Sequence, residues 1–152
     1  MYHVDFADFS AFPRHSRRAL TLGALLVLGA CASSTGPSAS IPLDKEFQLA
    51  PGQTAMVGMG GLRITFISVP VDTRCPLGVL CIVAGEAQVE IDAEQGDAGS
   101  RLRLNTDGLG RQAIFVSYAI ELVNLTPTPK LNQPTPLSSY RIGLKVSLLG
   151  PD

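Results

Sequence analysis

A chain of 152 residues is the size of a single domain. Twelve Lys and Arg against 13 Asp and Glu leave a net charge of −1, and charged residues make up only 16% of the chain. This excludes a highly charged disordered chain and the clustered basic surface that phosphate contacts require, so no nucleic-acid partner is expected. Fifteen Gly and 11 Pro with no Trp favour many turns and short elements over long helices.

The first element is an export address. Arg14, Arg17 and Arg18 precede an uncharged run over residues 19–29, the order of a charged and then an apolar region in a secretory signal, helical in the precursor. At about 1.5 Å per residue the run covers roughly half of the hydrocarbon core, too little for a permanent span. Leu28, Gly29, Ala30 and Cys31 resemble the lipobox of bacterial lipoproteins. The resemblance implies cleavage before Cys31, a diacylglycerol on its thiol and a third acyl chain on its new amino group. At about 0.8 kcal/mol per buried methylene, two or three chains anchor stably where one binds marginally. The competing reading is an ordinary cleaved signal followed by a fortuitous cysteine. Residues 16–20, Ser-Arg-Arg-Ala-Leu, are also similar to a twin-arginine export signal, so the export route stays open. Ala32, not Asp, follows the cysteine. In a host with two membranes this favours the outer one, with the domain facing the periplasm or the cell surface.

The expected organisation is a signal peptide over 1–30, a lipidated cysteine and tether over 31–42, and a folded domain over 43–149. Residues 32–42, ASSTGPSASIP, are small, uncharged and flexible, with a reach of about 15–20 Å. Both histidines, His3 and His15, precede Cys31, so the mature chain has no imidazole. Ser-His-Asp or Cys-His nucleophiles and His-ligated metal sites are therefore unavailable, and no metal, cofactor or enzymatic role is expected.

The body alternates with period two. Ala87, Val89, Ile91 and Ala93 alternate with Gln88, Glu90, Asp92 and Glu94, one apolar row for a core and one acidic row for water. Tyr140, Ile142, Leu144, Val146 and Leu148 repeat the pattern at the end of the chain. Leu62, Ile64 and Phe66 mark a third strand, with Ile67 and Val69 suggesting burial on its second face. Shorter strands are expected over 47–49, 54–57, 101–105, 112–116 and 118–125. Turn residues at Pro51-Gly52, 58–61, 95–100 and Asp107-Gly108 separate them. The expected fold is an all-β antiparallel sandwich, immunoglobulin-like, with a small barrel as the alternative. Pro127, Pro129, Pro134 and Pro136 exclude a central strand between the last two and predict an extended surface crossing, from one sheet to the other or along an edge. A polyproline docking motif is the lesser reading, since no P-x-x-P register with basic neighbours is present.

One segment is distinctive. Residues 72–87, DTRCPLGVLCIVAGEA, resemble the motif D-[ST]-R-C-P-x-G-V-x-C-I-W-A-G-x-A of small secreted proteins and lipoproteins of bacteria. The flanking strands and the Pro-rich stretch extend the likeness over the mature domain. Val83 stands where the motif has Trp. The resemblance implies a fold and an address, and no activity. Read from the residues themselves, Cys75 and Cys81 enclose five residues in an exported compartment, where a bridge is expected. The spacing is not the C-x-x-C of a redox centre. Pro76 and Gly78 suit a tight turn, Asp72 can accept backbone N–H groups, Arg74 can pair with a carboxylate, and Gly85 completes the motif.

The expected function is a lipid-anchored binding or structural module of the cell envelope, held to the membrane through Cys31 and meeting an envelope protein or a glycan. Two alternatives are open. One is a hydrolase using two of Asp72, Glu86, Glu90 and Glu121 across a groove. The other is a protease-inhibitor-like loop in which the ring displays Leu77, Val79 and Leu80. Asp92, Glu94 and Asp97 are read as a solvated face, since calcium-loop ligand order is missing. Asn124-Leu125-Thr126 is a coincidental glycosylation pattern.

Overall fold

The computed structural model describes residues 40–150, all within one compact unit, Thr35–Asp152. The signal segment, its helix and Cys31 lie outside the described residues. Eight strands form: β1 (Glu46–Leu49), β2 (Thr54–Val57), β3 (Leu62–Asp72), β4 (Ala87–Gln95), β5 (Ala98–Asn105), β6 (Gln112–Phe115), β7 (Tyr118–Thr126) and β8 (Arg141–Leu148). They make two antiparallel four-stranded sheets, ordered β1-β8-β7-β6 and β2-β3-β4-β5. This is the expected all-β sandwich.

Alternation explains the layers. In β4 the odd positions Ala87, Val89, Ile91 and Ala93 are fully buried, and the even acidic positions face out. Phe66, Ile64, Leu62, Leu104, Ile120, Leu122, Ile142 and Leu144 complete the core from both sheets. Each such side chain contributes roughly 1.5–3 kcal/mol on leaving water. The outer row of β4 is matched by cations on its neighbours. Asp92 accepts from Arg101 at 2.8 Å, Glu90 from Arg103 at 3.2 Å, and Glu94 lies 3.8 Å from Arg63. These exposed pairs each contribute under about 1 kcal/mol and set register more than stability.

The connectivity differs from the immunoglobulin order. All strand pairs join sequence neighbours except β1 with β8, so the chain is an up-and-down meander opened at two seams, β1/β2 and β5/β6, not a Greek key and not a closed barrel. At the first seam Ile41 forms a parallel bridge with Val57. Its N–H donates to the Met56 carbonyl and its own carbonyl accepts from Gly58, both at 2.8 Å. The chain thus joins the sandwich two residues before Leu43.

Three further details depart from expectation. Ile67 and Val69 do not make a second buried face. β3 shifts register after Phe66 and again after Ser68, and the bulge turns Val69 back toward the core. Pro70 is tolerated because β2 pairs with β3 only as far as Thr65. The reversal over 95–100 is only Gly96 and Asp97, since Gln95 already pairs with Ala98. The Pro-rich stretch does not cross between sheets, because β7 and β8 are neighbours. It is a long return loop containing a 3-10 turn, Leu137–Ser139.

Val116, in the β6–β7 turn, has φ 54° and is more than half exposed. A β-branched residue in the left-handed region is strained by about 1–3 kcal/mol. Val116→Gly is expected to raise the urea-unfolding free energy by about 1 kcal/mol, the relief being partly offset by the freer unfolded chain. A loss of stability would show that the turn is not strained.

Candidate functional site at the disulfide end

The loop between β3 and β4, residues 73–86, carries the distinctive motif, and its neck is built from small and polar residues. The Thr73 N–H donates to the Glu86 carbonyl at 2.8 Å, the Thr73 hydroxyl donates to the same carbonyl at 2.9 Å, and the Glu86 N–H returns to that hydroxyl at 3.1 Å. Gly85 is required there for contact, not for φ. A Cβ at this position would fall on the Thr73 carbonyl. Thr106 closes the neck from the third side, its hydroxyl accepting from the Ala87 N–H at 2.8 Å.

A charged clasp ties the neck to the other sheet. Arg74 donates twice to Asp72, from Nε at 2.8 Å and from Nη2 at 2.7 Å. Its remaining donors reach the carbonyls of Leu125 at 2.6 Å and Pro127 at 2.7 Å, at the end of β7. The Tyr140 hydroxyl donates to Asp72 Oδ2 at 2.9 Å from the start of β8. Both charged side chains are well covered, at 14% and 9% exposure. Burial by itself raises the Asp72 carboxyl pKa, but hydrogen bonds from Arg74 and Tyr140 outweigh it and hold the carboxyl below its ordinary value. Burial, with the Asp72 carboxylate beside it, raises the Tyr140 hydroxyl. Both groups therefore stay in the forms that the clasp uses at neutral pH.

Beyond the clasp lies the ring. Cys75 and Cys81 are joined in a disulfide with their Cα atoms 6.0 Å apart, which contributes about 2 kcal/mol through loop closure. Gly78 takes φ 78° within it. The Leu77 N–H donates to the Pro129 carbonyl at 2.9 Å, and Leu77 bridges Lys130 in parallel. The loop is braced at Leu77 and free beyond it, where Leu80 in the ring and Ile82 just past it are fully exposed at 99% and 103%, and Val83 at 78%. Between the ring and the return loop runs an open groove of about 460 Å³, lined by Pro76, Pro129, Lys130, Asn132, Thr135 and Tyr140 among others.

The motif residues Asp72, Arg74, Pro76, Gly78 and Gly85 are thus brought together, the last three shaping the loop that the first two fasten. The four carboxylates weighed for hydrolysis are not. Asp72 is locked in the clasp, Glu86 is at the exposed neck, and Glu90 bonds Ser68 and Arg103 on the outer face of one sheet. Glu121 pairs with Lys145 on the outer face of the other. Asp92 and Glu94 have arginine partners, and Asp97 sits in the β4–β5 turn. Among the described residues no group of three or more His, Cys, Asp or Glu is placed to hold a metal. Tyr140 and Thr106 were not among the expected site residues. Tyr140 reads locally as the first apolar position of a strand, and only the pairing of β7 with β8 delivers it to Asp72. Comparison of the chain with protein-family models, curated proteins and solved structures finds no match.

Proposed function

We propose that the chain is a lipid-anchored, extracytoplasmic β-domain acting as a non-enzymatic binding or structural module of the bacterial cell envelope. The observation that carries this reading is the Cys75–Cys81 bridge capping the sandwich, because such bridges persist in oxidising compartments and agree with the export signal ahead of Cys31. The architecture supports a binding role over a catalytic one. Its polar groups are consumed in holding the loop, while the loop itself displays apolar side chains.

Labelled palmitate tests the reading. Cells producing the chain are expected to incorporate label into a membrane-bound product, and Cys31→Ala is expected to abolish both label and membrane retention. A labelled Cys31→Ala product, or an unlabelled wild-type protein free of membrane, would overturn it.

A further inference from the structure

We propose that the tip of the disulfide loop is a second membrane contact, resting in the interfacial layer of the bilayer that holds the lipidated amino terminus. The inference rests on the anchored reading above and adds what the loop touches.

The chemistry of the tip selects lipid. From Cys75 to Gly85 the sequence is CPLGVLCIVAG, eleven residues without a charged side chain, an amide, a hydroxyl or an aromatic ring. Protein interfaces are enriched in aromatic residues and Arg and carry about one hydrogen bond per 100–200 Å². A purely aliphatic tip offers none of these anchors, whereas a bilayer requires only apolar area. Leu80, Ile82 and Val83 supply that area, and Leu109 and Leu131 are exposed at the same end of the sandwich. The brace beneath the tip keeps these side chains from folding back onto the domain: the disulfide, the Leu77–Pro129 hydrogen bond and the Thr73–Glu86 neck all fix its outline. Depth is limited as well. The backbone over residues 80–84 forms no regular structure, and unpaired peptide groups are not carried into hydrocarbon, so the side chains dip in and the peptide groups stay among headgroups.

The tether permits this placement. Ile41 runs parallel to β2, so Ser40 lies on its Thr54 side, which is the direction of the tip. Cys31 and Ile41 are ten Cα–Cα steps apart, at about 3.3–3.6 Å each at most roughly 33–36 Å. From Leu62, beside Val57, to Asp72 at the neck β3 takes ten steps, but its two bulges reduce the rise to that of about eight, roughly 26 Å. The full length of the tether therefore covers the distance to the neck, at an extension beyond its average reach of about 15–20 Å.

The chain contains no Trp, so Val83→Trp places a single indole at the tip. Met59→Trp places one in the β2–β3 turn at the far end, where Met59 is fully exposed. Each mature lipoprotein is reconstituted into phosphatidylethanolamine–phosphatidylglycerol vesicles with and without brominated acyl chains. The tip indole is expected to shift to the blue and be quenched by brominated lipid at least fivefold more strongly than the Met59→Trp indole. Adding Leu80→Asp and Ile82→Asp to the Val83→Trp chain is expected to remove the difference. Flotation of the Leu80→Asp, Ile82→Asp chain reads the anchor and emission of the Val83→Trp chain reads the tip, so each can fail alone. A chain that floats with a solvated tip overturns the proposal and leaves the anchor. Quenching of the Val83→Trp indole with loss of flotation in the Leu80→Asp, Ile82→Asp chain upholds the tip contact and removes the anchor. A tip that is solvated on vesicles and shielded only when a purified envelope protein or a second copy of the chain is added assigns it to a protein and also overturns the proposal.

Discussion

Arg74→Ala is expected to lower the urea-unfolding free energy by about 3 kcal/mol, because it strands a covered Asp72 carboxylate and leaves the Leu125 and Pro127 carbonyls without their donor. Arg74→Lys restores the charge but not the fork that serves Asp72 and two carbonyls at once, and should recover less than half of the loss. The control is Arg101→Ala, whose partner Asp92 lies on an exposed face. It should cost under about 1 kcal/mol. An Arg74→Ala cost no larger than that of Arg101→Ala would show that the clasp is ornamental.

The same clasp has a pH signature of defined sign. The folded Asp72 carboxyl titrates below its ordinary value of 3.8. Between those two values the unfolded chain binds the proton that the folded chain refuses. The stabilisation from Asp72 is therefore fully present above about pH 5 and is lost as pH falls through 3.8 toward the folded value. Glu90 and Asp92 are also lowered, so acid weakens the wild-type protein at several sites. Subtracting the acid limb of Arg74→Ala from that of the wild type isolates the Asp72 share. The wild type should fall more steeply below pH 4, and parallel limbs would contradict the assignment.

Gly85→Ala is the second large effect, with an expected loss of about 2–4 kcal/mol. The added methyl meets the Thr73 carbonyl, part of a backbone held in place by the Thr73–Glu86 hydrogen bonds, so the neck must open. Gly78→Ala gives the comparison. Its φ of 78° is strained for Ala, but open space surrounds it, and it should cost only about 1 kcal/mol. Hydrogen exchange should place the Gly85→Ala damage at Thr73, Glu86 and Ala87 and leave β8 protected. Uniform loss across both sheets would mean that the neck is not a local unit.

Much of the sandwich was legible. β2 lies over the residues that its alternation marked, and β4 and β8 follow their apolar rows to within a residue or two, because inward and outward positions differ sharply in chemistry there. Strand order was not legible. An alternating strand such as β2 or β4 shows one apolar face, and that pattern is the same in a Greek key and a meander. The bulge in β3 was hidden for a related reason: Ile67 and Val69 are both apolar, and only pairing with β4 shows which is turned inward. At the site, local chemistry revealed Asp72, Arg74 and the Cys75–Cys81 ring, all within ten consecutive residues. It could not reveal Tyr140, which reaches Asp72 across 68 positions, or why position 85 is Gly, which depends on the opposite side of the neck.

Intact mass of the protein extracted from membranes, before and after reduction, tests the central claim most directly. The account predicts a chain beginning at Cys31, heavier than its sequence by a diacylglyceryl group and an acyl chain, and gaining two hydrogens when the Cys75–Cys81 bridge is reduced. An unmodified chain beginning elsewhere, or a mass that reduction leaves unchanged, would contradict it.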